Sequence, residues 1–390
     1  MSHFDNAVDS HLQVADKLTI IGVDKTYQIA KDVDYKTISD AAPEFTVDEA
    51  STGIVEVNKT TGVVRGLKSG DTTVKISLPD NGVYLDATAS ITIKVRIEDT
   101  DQFNKNIERL ADGDQILFAE NANIELSDTL DLSGKKIAIK GEKGVVIVCG
   151  ERTPILIDGC FELSNVEIDA SSLKDPLVLM NTLPTTNLND KGAYEIDKIG
   201  FDGVTVDGLK FQLFYANKQK YLINTFIIEN STINRVGVNK KSLIDFNGGG
   251  FPLNVTINKS TIESDATTQH QNGDFFTTQS GAKITDVTSD ADAKHTFTVT
   301  NCKLTKIANG KTLCILRENN KAYQYYVVKD NVVANCGKSG QFLKGFCAGS
   351  DISKKENWTA SGNVVTFDGV DKGADENASS GIEGACVVAE

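Results

Sequence analysis

The chain has 390 residues, of which 40% are hydrophobic and 24% charged, as in an ordinary globular protein with a large core. Its 54 acidic side chains outnumber the 40 basic ones and give a formal net charge of −14. This charge argues against a nucleic-acid partner, which requires clustered Lys and Arg to displace phosphate counterions. No apolar run approaches the roughly 18 residues of a membrane-spanning helix, so no transmembrane segment is predicted.

The first 16 residues are interpreted as an N-terminal extension. They lack the basic cluster and apolar segment of a secretory signal. The seven cysteines of the chain show neither a CxxC pair nor a cysteine–histidine spacing suited to zinc. Most of them are therefore expected to be small buried hydrophobic residues, and no metal site is predicted.

Residues 17–98 contain short β-rich runs separated by turns, with clear two-residue alternation in 72–76 and 91–95. No helical periodicity interrupts them, so an all-β sandwich is predicted. Residues 51–57 and 61–76, with glycines expected in tight turns, resemble the bacterial immunoglobulin-like domain of group 2. That resemblance implies a spacer or adhesion module of the kind found in bacterial and phage surface proteins.

After residue 99 the pattern changes. Phe103, Ile107 and Leu110 recur at spacings of four and three, which predicts a short amphipathic helix. A helix at this place would cap the open end of a solenoid, whose first edge strand would otherwise attract another chain.

A six-residue signature then recurs, with apolar residues at its first and sixth positions and a polar or glycine turn between them. Copies begin at Leu132, Leu163, Phe201, Ile228, Ile257, Val299, Val328 and Ala360. Most copies are followed by a second apolar run, as in 243–246, 275–277, 313–316 and 342–343. Two strands per coil without intervening helices predict a right-handed parallel β-helix of about eight coils over residues 99–370. Residues 371–390 are interpreted as a C-terminal tail or cap.

The repeat resembles the pectin-lyase-like β-helix superfamily, and within it the uncharacterised β-helix domains of Bacteroidetes surface proteins. The predicted fold class is therefore all-β: an immunoglobulin-like sandwich, then a right-handed parallel β-helix with an N-terminal capping helix.

The likeness concerns fold and includes no catalytic motif, but a polysaccharide lyase would need a basic residue to abstract a proton, and sometimes calcium. If the trailing runs stack in register, Asp245, Thr277, Arg317 and Lys344 form one line. The predicted catalytic residues are Arg235, Lys240, Arg317 and Lys344. No cofactor is predicted, with calcium the one ion that the lyase hypothesis admits.

Tyrosine rings stack on sugar faces while their hydroxyls stay hydrated. The predicted carbohydrate-binding residues are Asp245, Lys321, Tyr323, Tyr325, Tyr326, Tyr215 and Tyr221. The leading hypothesis is a glycan-binding or adhesion protein that is extracellular or on the outer cell surface. The alternatives are a polysaccharide lyase or hydrolase acting on an acidic glycan, and a structural component of a phage or surface assembly, located on the virion.

Overall fold

A computed structural model describes residues 9–15, 17–35, 42–80, 83–217, 220–238, 240–246, 250–264, 273–278, 284–290, 292–311, 314–315, 325–346 and 355–388. Strands account for 48% of the structure and helices for 9%, which confirms the all-β class. Within the described residues, no helix has both the length and the apolar character needed to cross a membrane. The chain divides into two compact units: residues 1–124 with 140–145, and residues 125–139 with 146–390.

The first unit contains the strands of the N-terminal sheets. They are β1 (Gln13–Val14), β2 (Leu18–Gly22), β3 (Thr26–Gln28), β4 (Val33–Asp34), β5 (Glu44–Val47), β6 (Val55–Val57), β7 (Val63–Gly66), β8 (Gly70–Leu78) and β9 (Ala87–Asp99), with 3-10 turns at Ile29–Asp32 and Glu49–Ser51. Strands β5, β8 and β9 pair antiparallel, and β2 joins β9 in parallel. A second sheet has the order β3-β7-β6, and β1 pairs with β4.

Alternation along β8 and β9 builds the core of this unit, because alternate side chains of a strand point to opposite faces. Val74, Ile91 and Ile93 are fully buried, and Val64 of the second sheet is buried as well. The sequence suggested that each of these glycines lies in a tight turn, but not all of them do. Gly66 is the last residue of strand β7, and a Cβ atom there would come within 2.6 Å of the Gly22 carbonyl oxygen.

Strand β9 is 13 residues long and continues past the sheet, because Ile97 pairs in parallel with Phe118 of β10 (Gln115–Leu126). Residue 98, the predicted domain boundary, lies within this strand. Helix α1 (Thr100–Glu108) follows at once, where the helical spacing predicted one. The Asp99 carboxylate accepts a hydrogen bond from the backbone N–H of Gln102 and so caps the N-terminus of helix α1.

The second unit contains the repeat. Its strands are β11 (Leu130–Asp131), β12 (Ile137–Gly141, which ends in the first unit), β13 (Val146–Cys149), β14 (Ile155–Ile157), β15 (Phe161–Ser164), β16 (Glu167–Asp169), β17 (Val178–Met180), β18 (Tyr194–Asp202), β19 (Thr205–Asp207), β20 (Phe214–Ala216), β21 (Tyr221–Glu229), β22 (Thr232–Val236), β23 (Ile244–Phe246), β24 (Phe251–Asn258), β25 (Thr261–Ser264), β26 (Phe276–Thr278), β27 (Thr296–Thr300), β28 (Lys303–Thr305), β29 (Cys314–Ile315), β30 (Tyr325–Lys329), β31 (Val332–Ala334), β32 (Trp358–Ser361), β33 (Val364–Phe367) and β34 (Val370–Asp371). Helix α2 spans Glu376–Ser379, and 3-10 turns lie at Ile284–Asp286, Leu343–Phe346 and Lys355–Asn357.

Most of these strands form three parallel ladders, and each of the five repeats that begin between Leu163 and Val299 supplies one strand to each ladder. The first ladder runs β15-β18-β21-β24-β27-β30-β32. The second runs β13-β16-β19-β22-β25-β28-β31-β33. The third runs β11-β14-β17-β20-β23-β26-β29. The sequence predicted two strands per coil, one of them formed by the six-residue copy. In the structure the copy bends at its third residue, so that its two halves belong to different ladders.

The register of the first ladder joins the first residue of seven copies. In order they are Leu163, Phe201, Ile228, Ile257, Val299, Val328 and Ala360. The predicted copy at Leu132 does not belong to this series. Its sixth residue, Ile137, begins β12, whereas the residue that pairs with Ile168 is Ile147 of β13.

Phenylalanine rings from successive repeats pack along the core of the second unit. The ring centroids of Phe214 and Phe246 are 5.0 Å apart, those of Phe246 and Phe276 5.5 Å, and those of Phe276 and Phe297 5.0 Å. Phe346 continues the series from a 3-10 turn. The predicted trailing strand at 342–343 is therefore wrong, although its aromatic side chain still enters the core.

A ladder of polar and cysteine side chains runs through the same core at the fourth position of the last five copies, from Ser231 to Asn363. The hydroxyls of Ser231 and Ser260 donate hydrogen bonds to backbone carbonyls of their own repeats. The Asn331 side chain donates to the Val299 carbonyl and the Asn363 side chain, and accepts from the Cys302 amide. Asn331 and Asn363 are fully buried and pair with neighbouring repeats, so these bonds help to fix the register.

We expect Asn331→Leu to destabilise the second unit by about 2–4 kcal/mol, because the Val299 carbonyl and the Cys302 amide would lose their buried partner. Trp358 is the only tryptophan and stacks on Tyr326 within these repeats, so its fluorescence during urea unfolding reports the change. Asn301→Gly is the matched control, because Asn301 is an exposed turn residue with a φ of 53° that glycine adopts readily. Equal unfolding midpoints for wild type and N331L would contradict the assigned role.

Burial raises the pKa of the Cys149 and Cys336 thiols to about 12 and that of Cys302 to about 11. A thiol reacts as its thiolate, so these three cysteines should be modified far more slowly in the folded protein than in urea at pH 8. Alkylation followed by peptide mapping measures each site separately. Rapid labelling of Cys302 in the folded chain would show that this part of the core opens.

Candidate functional site

The outer face of the third ladder carries the middle side chain of each of its three-residue strands. In its three-residue strands, the first and third residues point inward and the middle residue points outward. The middle residues of β14, β17, β20, β23 and β26 are aligned by the strand register; they are Leu156, Leu179, Tyr215, Asp245 and Thr277. We call these five residues the outer row. Their backbones are about 4.8 Å apart from one strand to the next.

The outer row changes chemistry halfway along its length. Leu156, Leu179 and Tyr215 are half-buried and form an apolar and aromatic surface. Asp245 and Thr277 continue the row with a carboxylate and a hydroxyl, and are only 9% and 6% exposed. A carboxylate is seldom buried to this degree unless other polar groups surround it.

Those surrounding groups come from one repeated position, two residues before each strand of the third ladder. The Gln212 Nε2 atom donates to the Asp245 Oδ2 atom over a long 3.5 Å. The Ser242 hydroxyl donates to the Thr277 Oγ1 atom at 2.9 Å. The Thr277 hydroxyl in turn donates to the Asp274 Oδ2 atom at 3.2 Å. Gln212 and Ser242 thus each reach the outer row of the following repeat and hold its polar side chain.

Tyr215 is held from the other end of its strand, by a residue that follows β20. Its hydroxyl donates to the Asn217 Oδ1 atom at 3.0 Å, and the Asn217 Nδ2 atom donates to the Asn181 Oδ1 atom at 2.9 Å. Burial, followed by the negative charge of Asp245, raises the pKa of Tyr215. The phenol therefore stays neutral at physiological pH and keeps its capacity both to donate and to accept hydrogen bonds.

The outer-row site comprises the outer row and the polar side chains that hold it: Asn181, Gln212, Asn217, Ser242 and Asp274. It presents an apolar face next to carboxylate, amide and hydroxyl groups that are fixed by mutual hydrogen bonds. Such an arrangement suits a ligand that has one apolar face and several hydroxyl groups.

Two of the predicted catalytic residues lie away from this site, on other elements. Arg235 follows the central part of β22 with a left-handed φ of 48°, and its guanidinium forms a two-point ion pair with Asp207 of β19. Lys344 lies in the 3-10 turn Leu343–Phe346, not at the end of a strand as predicted. Lys240 is exposed and has a φ of 60°. Arg317 lies outside the described residues, and the register continues the line from Thr277 to Ile315 instead.

Two of the predicted carbohydrate-binding tyrosines are buried in the core and cannot contact a ligand. Tyr221 is fully buried, and its hydroxyl donates to the Thr182 carbonyl. Tyr326 is 2% exposed, with its ring stacked on Trp358 at a centroid distance of 4.0 Å. Neither ring can lie against a sugar, so both predictions are corrected. Tyr325 is half-buried, and Lys321 and Tyr323 lie outside the described residues.

Tyr215 and Asp245 are therefore the two predicted residues that the structure places side by side, in paired strands. Sequence reasoning missed the roles of Asn181, Gln212, Asn217 and Ser242. A signal for two of them was present, because Gln212, Ser242 and Asp274 each stand two residues before the start of a third-ladder strand.

The site offers no ready metal centre. Across the described part of the chain, no three or more His, Cys, Asp or Glu side chains are grouped so as to bind a metal ion. His270, four residues before Asp274 in the sequence, lies outside the described residues.

A family model described as a domain of unknown function, DUF4957, matches residues 122–265, which include the outer row from Leu156 to Asp245. No curated protein and no solved structure matches the chain.

Replacing Asp245 by Asn should lower the pKa of Tyr215 towards its ordinary value, because a negative charge beside the phenol disfavours the tyrosinate. The recovery should be partial, since burial is the larger cause of the shift and remains. The pKa of Tyr215 is measured by NMR titration of the protein with tyrosine labelled at Cζ, and the Tyr215→Phe variant assigns the signal. Asp197→Asn, an exposed carboxylate of β18, should leave the titration unchanged. An unaltered Tyr215 titration in D245N would show that the two side chains are not coupled.

Proposed function

We propose that this protein binds a glycan through the outer-row site and acts as a non-catalytic adhesion or carbohydrate-binding protein at an outer surface, bacterial or viral. The observation that carries the proposal is the alignment of Leu179, Tyr215 and Asp245 on three adjacent strands. A sugar ring has an apolar face of C–H groups and an edge of hydroxyls. The leucine and tyrosine match the face, and the carboxylate matches the edge.

The architecture that we propose for this function is the one suggested by the sequence resemblance. The three parallel ladders of the second unit correspond to the three faces of a right-handed parallel β-helix of the pectin-lyase-like type. The antiparallel sheets of the first unit correspond to an immunoglobulin-like domain of bacterial group 2, here a spacer. The regular register of the ladders and the antiparallel pairing in the first unit support this assignment.

Binding is favoured over lyase chemistry by the positions of the basic side chains. A lyase base must reach the proton beside the sugar carboxylate, and its pKa must lie near the working pH. Arg235 is held in an ion pair with Asp207, and Lys344 lies in a 3-10 turn outside the third ladder. Neither belongs to the outer row, where the ligand is proposed to lie.

The test is a glycan array probed with the intact chain and with Tyr215→Ala. We expect the wild type to bind a defined subset of glycans and the variant to lose at least tenfold in affinity, because a stacked aromatic face and an oriented hydroxyl are removed together. Tyr84→Ala, in the first unit, is the matched tyrosine control and should bind as the wild type does.

The same glycans should be assayed for turnover by the ultraviolet absorbance of the unsaturated product that β-elimination creates. An enzyme would release such a product. Absence of any binding on the array would refute the proposed function and favour a purely structural role.

A further inference from the structure

The charges of the outer-row site are of one sign. Asp245 belongs to the row, and Asp274 is joined to it through the Thr277 hydroxyl. None of the described side chains that form the site is a Lys or an Arg. An anionic sugar placed here would bring its carboxylate or sulfate towards two carboxylates in a partly desolvated setting, where like charges repel strongly.

The hydrogen-bonding capacity of the site is complementary to hydroxyl groups. An ionised carboxylate only accepts, and an Asp side chain offers about four acceptor positions on its two oxygens. A sugar hydroxyl can donate to it, and such charge-assisted bonds are stronger than those between neutral groups. The amides of Asn181 and Asn217 both donate and accept, and Asn181 is exposed, so they suit further hydroxyls of the same ligand.

The apolar half of the row points to the same ligand class. Leu156, Leu179 and Tyr215 lie on successive strands and are half-buried, so they offer a continuous uncharged surface beside the carboxylate. Two basic side chains of the second unit that could attract an acidic sugar are already paired with carboxylates. Arg235 is paired with Asp207, and Lys174 with Glu151.

We infer that the ligand of the outer-row site is an uncharged oligosaccharide, with a hydroxyl of one sugar donating to the Asp245 carboxylate and its apolar face lying on Leu179 and Tyr215. This inference rests on the proposed glycan binding and narrows it. It also replaces the acidic glycan that the lyase hypothesis required.

Affinity electrophoresis of the intact chain tests the inference directly. Native gels would contain either neutral polysaccharides (galactomannan, xyloglucan, mixed-linkage β-glucan) or polyuronates (polygalacturonate, alginate). We expect retardation in at least one neutral gel and none in the polyuronate gels. Retardation in polyuronate gels alone would overturn the inference while leaving glycan binding intact. Retardation in neither set would overturn the proposed function, and the inference with it.

Variants separate recognition by Asp245 from adventitious retention. Asp245→Asn keeps the shape but replaces an acceptor-only carboxylate by an amide, and should weaken neutral-glycan binding at least tenfold by calorimetry with the retarding polysaccharide. Asp197→Asn removes an equal charge from an exposed site on β18 and should bind like the wild type. Thermal unfolding of all variants verifies that they fold. Unchanged affinity in a folded D245N protein would overturn the role given to Asp245.

Discussion

The arrangement of the second unit depends on one backbone conformation, the left-handed residue at the third position of each six-residue copy. Seven such residues carry φ values between 47° and 68°: Asn165, Gly203, Asn230, Lys259, Asn301, Asp330 and Gly362. The bend takes the chain from the first ladder to the second. A bend displaced by one residue would exchange the inward and outward faces of the following strand. The same register aligns the third ladder, and so the outer row exists only because the turns recur at one position.

The second unit buries polar side chains in two places, and the partners of these groups distinguish their roles. Inside the core, Asn331 and Asn363 bond mainly to backbone groups, which cannot move without breaking the ladders. On the outer face, Tyr215, Asp245 and Thr277 bond to other side chains. Side chains can rotate towards a ligand at the cost of a rotamer change. The inner set therefore stabilises the fold, and the outer set is suited to recognition.

The sequence was most informative where one residue type serves one physical need. Asn and Gly tolerate a left-handed backbone and stand at five of the seven bends, and together with the flanking apolar residues they identified seven of the eight copies in the register that the structure shows. The same left-handed turn signal led to the wrong prediction of a copy at Leu132. Gly134 is also left-handed, with a φ of 75°, but it lies in the turn between β11 and β12. A single turn signal cannot tell which two strands it connects.

Prediction of the site was limited by strand orientation. Tyr325 and Tyr326 are neighbours in a run that is apolar on both faces, so the sequence could not show that Tyr326 points inward onto Trp358. Asp245 and Thr277 were placed in one line correctly, because each is the polar residue of a short apolar run and the runs pair in register. The hydrogen bonds from Gln212 and Ser242 reach from one repeat to the next, and only the stacking of the ladders brings these residues together.

The negative charge of the whole chain and that of the outer-row site both disfavour the binding of an anionic ligand, and the charge of the site has the stronger effect on affinity. A net charge of −14 repels polyanions in general. At physiological ionic strength that repulsion is screened beyond about 8 Å, so it affects approach more than final affinity. Asp245 is 9% exposed and is screened far less by salt. The discrimination that we propose between neutral and acidic glycans should therefore persist at high salt, because we assign it to this carboxylate within the outer row.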